Sequence, residues 1–547
     1  MKIVGVLCAF VFIIVTGAEC AKILGVFHVA GKSHYMACST VMKILAERGH
    51  DVTIVALFKE KNPPKNYRQI VIDGLYEKAS GEIKITLVEN FSIYPPMPDA
   101  YFAYPTWLCN YIRLFSATTK DLFATKSSVL MTPVSFHSMT TMFLEMFFNH
   151  TNFKEFMKSN EKFDAVIVEE FQSEAIKYVA HHFNAPLIVY SSVDANEWTN
   201  PFQGNPDTPS YHPCHALTHL TNHMSFMERV ENTLFYAYDK IFYHLIAFPA
   251  QNRLLHRYYP EAPDLKDIAY NVSLVLFNTD LSVHEPMPKV PSMKDVGGFH
   301  IRKPKPLPED LQKILDNAKH GVIFFSLGST VKSKDMPKEK RDLILRKFSK
   351  LKETVIWKFE DTELPGKPDN VIIRNWLPQN DIFAHKNVKL FISHGGLFST
   401  MEAVYHGLPV MALPIFAEQE VNALRAEMGG FARHLPFQEL TETSFSEVLD
   451  DLLSNPKYKE NAKTRSSIMR DKPMDPADAI NYWVEYVVRH KGAPHLRSAA
   501  LDLEWYEYLL IDVILFILTM VGAFLFTVVY LYKLWPKRRS SIKQKKN

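Results

Sequence analysis

From Phe391 to Glu420 the chain reads FISHGGLFSTMEAVYHGLPVMALPIFAEQE, a set of residue types suited to holding phosphate and sugar. An apolar strand runs into His394, Gly395 and Gly396, and a helix is expected from about Leu397 to His406, ended by Gly407 and Pro409. The glycines let the backbone turn tightly and approach a ligand at Gly396. Unpaired amides at such a helix start, together with the helix dipole, stabilise phosphate oxygens. His394 and Ser399 can add hydrogen bonds to a diphosphate. Glu402, three residues beyond Ser399 on the same helical face, can accept hydrogen bonds from ribose hydroxyls.

An isolated HGG among 22 histidines carries little weight, but three other stretches repeat the theme. FSLGS ends an earlier strand with Gly328 and Ser329, offering amides and a hydroxyl to the same phosphates. NWLPQND supplies Trp376 as a flat face for a base and Gln379 to pair with its edge or with ribose, a tryptophan in the core being the alternative. FAEQ places Glu418 and Gln419 after the following strand, where an acceptor beside an amide suits sugar hydroxyls. A nucleotide bearing a sugar satisfies all four.

Moving that sugar to a hydroxyl requires a base for the acceptor proton. In AGKSHYM, His34 follows the first strand at its carboxyl end, and imidazole titrates near pH 6.5. By composition alone a buried structural histidine is the competing reading. FDAVIVEE sets Glu169 and Glu170 at another strand end, and either carboxylate can fix the tautomer of a histidine base and stabilise its imidazolium.

These residues need strands whose carboxyl ends line a crevice. KILGVFHVA, YMACSTVMKILAERGH and DVTIVAL read as strand, helix and strand, and FDAVIVEE and APLIVYSS continue the parallel pattern. The segment HEPMPKVPSMKDVGGFHIRKPKPLPED, with six prolines, interrupts it as a linker. Alternation then resumes through GVIFFSLGS, TVIWKFE, NVIIRNWLP, VKLFISHGG and PVMALPIF. The expected class is therefore α/β, two doubly wound Rossmann-like domains at 21–285 and 309–480 joined by a linker at 286–308. The aromatic and Met-rich stretch from about Tyr94 to Phe156 is expected to pack as helical core, a pocket for apolar molecules being the alternative.

The chain's two ends point to a membrane. Residues 1–20 have the layout of a secretory signal, with Lys2, an apolar run and small residues at Ala18 and Cys20. Residues 509–530 rise about 33 Å as a helix, enough to span a bilayer core. Asp512 falls in its first turn, and the basic tail 531–547 should be cytosolic, which leaves the domains lumenal. Lys543 and Lys545 have the spacing of a dilysine signal for the endoplasmic reticulum, or simply supply positive-inside charge. A net charge of +3 without a basic aromatic stripe gives nucleic-acid binding little support. The five cysteines form no CxxC pair, so neither a zinc ribbon nor a receptor built from small disulfide modules is supported. Sequons occur at Asn90, Asn149 and Asn271. Homo-oligomer formation is left open.

The motifs NWLPQND, FISHGG, MEAVYHGLPV and FAEQEVNA, with WVEYVVRHKGAPHLRSAALDL before the span, make the chain resemble the membrane-bound UDP-glycosyltransferases, the glucuronosyl- and glucosyltransferases, from about Lys22 to the basic tail. The resemblance implies a GT-B architecture, with a segment at 481–508 that crosses back to the first domain before the membrane. It also implies that His34, in the family's SH position, is the catalytic base. No metal is needed in that architecture, and no Asp-x-Asp pair occurs in the chain. The implied reaction is an inverting transfer of a hexose, glucose ahead of glucuronate, from a UDP-sugar co-substrate to a small lipophilic acceptor, with no further cofactor. Three positions depart from the family pattern: Glu169 where vertebrate members have Asp, Phe398 where a polar residue is common, and Glu418 in place of Asp. A lumenal protein that binds UDP-sugar without transferring it is the alternative these departures keep open.

Overall fold

The computed structural model describes residues 20–75 and 132–544. The expected signal sequence apart from Cys20, the sequon at Asn90 and the first part of the aromatic stretch lie outside those residues.

The first sheet holds β1 (Lys22–Phe27), β2 (Asp51–Ala56), β3 (Tyr67–Val71), β4 (Ala165–Glu170), β5 (Leu187–Ser191), β6 (Leu274–Phe277) and β7 (Met293–Asp295). All pairings are parallel, in the order β3-β2-β1-β4-β5-β6-β7. Its central strands are apolar runs without alternation because helices cover both faces. The second sheet holds β8 (Val322–Ser326), β9 (Thr354–Lys358), β10 (Val371–Arg374), β11 (Val388–Ser393), β12 (Val410–Ala412) and β13 (Ala432–His434), in the order β10-β9-β8-β11-β12-β13. In each sheet the winding reverses between two neighbouring strands, β1 and β4 in the first, β8 and β11 in the second. Such a switch point opens a crevice beyond the carboxyl ends of the two strands. His34 follows β1, Glu169 lies near the end of β4, FSLGS closes β8 and HGG closes β11. Topology alone thus gathers the chemistry-bearing motifs at two crevices.

The helices that matter below are α1 (Lys32–Glu47), α2 (Thr132–Asn149), α3 (Phe226–Phe242), α4 (Leu397–Tyr405), α5 (Gln419–Met428), α6 (Pro476–Arg489) and α7 (Ile511–Gln544). The described end of the aromatic stretch is mostly core, with Phe143, Phe147, Phe148, Phe153 and Phe156 buried, while Phe136 is only partly buried. Helix α6 leaves the second domain and packs on α1, burying Ile480, Val484 and Val487 among Ile23, Val41 and Leu45. His50 meets Asn481 at 3.0 Å and Arg48 pairs with Asp478. Two boundaries differ from those read in the sequence. Strand β7 comes from inside the proline-rich segment 286–308, and the returning helix begins at Pro476 rather than at 481.

Within α7 the apolar stretch Ile511–Leu534, 24 residues long, is exposed along its length; at 1.5 Å per residue it rises about 36 Å. Asp512 sits in its first turn. Asn149 and Asn271 are both exposed. Cys20, Cys38 and Cys214 are unbridged.

Candidate active site

His34 lies in the first turn of α1, and its Nδ1 is 2.6 Å from Glu169 Oε1. The Glu169 side chain is 1% exposed, against 23% for His34. Adjacent residues on a strand face opposite ways, and this separates the two glutamates. Glu169 turns to His34, whereas Glu170 turns away to the buried Lys177 at 3.0 Å and accepts from the Gln172 amide. Ser192, just past β5, donates to the same Glu169 oxygen at 2.6 Å and lies 3.4 Å from His34 Nδ1. Burial disfavours the charged imidazole, but the charge and hydrogen bond of Glu169 outweigh it and raise the His34 pKa above its ordinary value. For Glu169 burial pushes upward, and His34 and Ser192 hold the carboxyl below its usual range. With Nδ1 donating to the carboxylate, Nε2 remains to take a proton.

Beside this pair stands an aromatic wall. The Phe171 ring meets His34 edge-on at 4.7 Å, Phe136 from α2 lies 4.7 Å from Phe171, and Trp198 stacks on Phe136 at 5.1 Å. Such a wall suits a flat, apolar molecule next to the imidazole.

In the second domain two strand ends are built alike. Ser326 closes β8 and its Oγ accepts from the Gly328 amide at 3.2 Å; Ser393 closes β11 and its Oγ accepts from the Gly395 amide at 3.1 Å. Gly328 and Gly395 both have φ of +84°, a region where only glycine is free of strain. The His394 ring lies between them and α4, so close that a Cβ on Gly328 would meet its Cε1 at 2.6 Å and one on Gly396 its Nε2 at 2.6 Å. Burial, with the nearby charge of Lys358, lowers the His394 pKa to about 4. It is neutral at pH 7, and its buried Nδ1 has no partner. Helix α4 begins at Gly396 with no side-chain cap, so its first amides face the crevice without a competing side chain.

Gln379, Ser399 and Glu402, separate readings in the sequence, form one cluster. Gln379 Nε2 donates to Glu402 Oε2 at 2.6 Å and to Ser399 Oγ at 3.1 Å. Burial raises the Glu402 pKa to about 7, against the hydrogen bond from Gln379; ribose hydroxyls donating to it would bring that value down. Trp376 is 68% exposed, which rules out the core reading and leaves its face open. Ser329 is partly exposed in the turn after β8. Gln419 is buried, and its Oε1 accepts from the Ile415 and Phe416 amides at 3.0 and 3.3 Å. Its oxygen therefore shapes the loop, leaving only the amide nitrogen for a sugar. Glu418, the residue before α5, is close enough for its charge to act on His34. The two crevices therefore face each other.

The model for the family described as UDP-glucoronosyl and UDP-glucosyl transferase matches residues 21–546. The chain belongs to the UDP-glycosyltransferase family. UDP-glucosyltransferase 2 of Dactylopius coccus is 35% identical over 534 residues, 96% of each chain. UDP-glycosyltransferase UGT5 of the same organism is 34% identical over 516 residues, 93% of this chain and 91% of the relative. UDP-glucuronosyltransferase 2B7 of Homo sapiens is 29% identical over 546 residues, 97% and 96%. Among solved structures, the calicheamicin glycosyltransferase CalG4 aligns with TM-score 0.52 and 16% identity over 86% of this chain and 99% of that one. The glycosyltransferase VinC in complex with dTDP aligns with TM-score 0.53 and 15% identity over 87% and 100%. These two establish the fold, a GT-B pair of Rossmann-like domains.

The UDP-glycosyltransferase accommodates its unusual residues visibly. The extra methylene of Glu169 still reaches His34. Phe398 directs its ring to His300 at 4.5 Å and joins the apolar group of the first domain, while His300 Nε2 donates to the Phe398 carbonyl at 3.2 Å. Phe398 therefore ties the domains together. Sequence reasoning missed Ser192 and the aromatic wall; the doubled serine that ends APLIVYSS is the one signal for Ser192.

Proposed function

We propose that this UDP-glycosyltransferase is an inverting, metal-independent hexosyltransferase that moves glucose from UDP-glucose to a hydroxyl of a small lipophilic acceptor. The observation that carries this reading is the 2.6 Å contact of His34 with Glu169 beside the aromatic wall, opposite the phosphate-suited strand ends. The acceptor hydroxyl gives its proton to His34 Nε2 while its oxygen attacks the anomeric carbon on the face away from UDP. The bond from that carbon to the diphosphate oxygen breaks, and UDP leaves with the electron pair. The α4 amides, His394, Ser329 and Ser399 stabilise the departing charge, the role that fixed donors fill most effectively. Gln379 and Glu402 hold the ribose, Trp376 stacks on the base, and Glu418 with the Gln419 amide meets the sugar. Glucose is favoured over glucuronate because the sequence shows no clear arginine cluster among the described residues to hold a sugar carboxylate, and because a UDP-glucosyltransferase is among the similar relatives. Anchoring by α7 with both domains in the lumen of the endoplasmic reticulum, the sequons glycosylated and the basic tail cytosolic belongs to the same proposal.

The test is product formation by the full chain in membranes, given UDP-glucose or UDP-glucuronate with a panel of phenols in the presence of a chelator. A β-glucoside is expected. Transfer from UDP-glucuronate alone would overturn the donor, and no transfer from either would overturn the enzyme reading.

Glu169 acts through His34 and is a positioning residue. Because its charge raises the His34 pKa, the acidic limb of the kcat/KM profile should lie above pH 6.5, with activity lost as pH falls through it. In Glu169→Gln that limb should move to lower pH while kcat drops by roughly 10²-fold or more, as the tautomer is no longer fixed. An unmoved limb would assign that titration to another group.

A further inference from the structure

Helix α3 is apolar on two sides. Its inward side is satisfied, with Phe235 and Tyr236 buried among Cys214, Leu217, Leu220 and Met224. Its outward side is not. Met227, Leu234 and Ile241, spaced by seven residues, are 68, 66 and 61% exposed, and Leu245 in the following π-helical turn (Tyr243–Ala247) is 72% exposed. Residues seven apart share one helical stripe, so these side chains form an apolar row along the protein's surface, unbroken from Leu234 to Leu245. Glu231, four residues after Met227, falls on the same stripe, and its carboxylate is paired with His219 at 3.4 Å. Singly scattered apolar residues need no explanation; an ordered row of large ones does.

The band's position says what covers it. The chain entering the span rests on the same region: a Cβ on Gly204 would meet the Ala500 and Ser498 side chains at 3.1 Å, and Tyr508 lies within electrostatic reach of Asp207 and Lys240. Lys240, which pairs with Asp207, directly precedes Ile241. Trp505, Tyr506 and Tyr508 are exposed just before α7, the residue types that settle at a membrane interface. The Ile241 end of the apolar row thus lies beside the entrance of the span.

We infer that the outward stripe of α3, from Met227 to Leu245, lies in the bilayer interface beside α7 as a second lipid contact. This rests on the reading of α7 as a membrane span. An amphipathic helix held in this way places its apolar face at the boundary of headgroups and acyl chains. It also sets the acceptor side of the cleft near the membrane. The end of α3 packs on α2 through Phe242 and Tyr243, each 5.5 Å from His137, and the neighbouring Phe136 belongs to the aromatic wall. Lipophilic acceptors dissolved in the bilayer then reach His34 without crossing bulk water.

The test uses the full chain in nanodiscs, with Cys20→Ser as the parent and its labelling as the blank. An environment-sensitive fluorophore is attached at Leu234→Cys, at Leu245→Cys and, within the span, at Phe524→Cys, each variant checked for retained transfer activity. Lipids carrying a nitroxide near the headgroup should quench the Leu234 and Leu245 probes at least two-fold, with blue-shifted emission. Water-like, unquenched probes at both sites beside a quenched Phe524 probe would overturn the stripe's lipid contact while leaving the span intact. Blue-shifted but unquenched probes would show protein covering the stripe and overturn it equally. If Phe524 were also unquenched by nitroxides at any depth, the span reading itself would fall, and the inference with it.

Discussion

Replacing His34 by alanine should lower kcat by about 10²- to 10⁴-fold, the usual contribution of a positioned general base, and leave the KM for UDP-glucose within about two-fold. The donor side stays intact because every residue proposed to hold UDP lies on the second domain, across the cleft. Alanine also removes the imidazole partner of a carboxylate that is 1% exposed, leaving only the Ser192 hydroxyl on that oxygen, and weakening the satisfaction of a buried charged acceptor costs about 1–3 kcal/mol. His34→Gln serves as the companion variant. Its amide can still donate to Glu169 but cannot take the acceptor's proton, so it should be equally slow yet closer to the parent in thermal stability. Undiminished transfer in either variant would remove His34 as the base.

Gly328→Ala should cost about 10²-fold in kcat/KM for the donor. Two effects combine at this position. The φ of +84° strains any side chain, at about 1–2 kcal/mol. The added methyl would also stand 2.6 Å from the His394 ring and push it from the crevice, and a shift of about 1 Å in a positioning group is enough for a 10²-fold loss. Gly366 separates the two effects. Its φ is +77°, and a Cβ there meets nothing within 4 Å, so Gly366→Ala should show a similar loss of stability with unchanged donor kinetics. Equal donor KM in both variants would place His394 outside the phosphate site.

The legible parts of this molecule are those where local chemistry and topology coincide. A strand, a glycine in left-handed backbone and a helix start can be read together in FISHGG, and the structure puts that motif and FSLGS at neighbouring strands. What stayed hidden depended on facing. Sequence could not choose between Glu169 and Glu170, since consecutive strand residues point to opposite sides and only the position of α1 decides which side holds His34. Trp376 could equally have been core or surface. Phe136 falls in the aromatic stretch for which an apolar pocket is the alternative reading, but Ser192, Phe171 and Trp198 come from separate loops with no periodic signal, and only tertiary contact joins them into a wall. Gln419 was read as a sugar ligand from its neighbour, whereas its oxygen is engaged by two backbone amides of the preceding turn. The three-residue strand β7 was too short, and too rich in flanking proline, to be distinguished from the linker around it.

Titration calorimetry of UDP into the purified full chain probes the phosphate-holding amino end of α4 without requiring any acceptor. Saturable binding of one UDP per chain at micromolar to low millimolar concentration is expected, weakened at least ten-fold in Gly328→Ala and unchanged in His34→Ala. No heat of binding at millimolar UDP, or equal binding by the parent and Gly328→Ala, would contradict it.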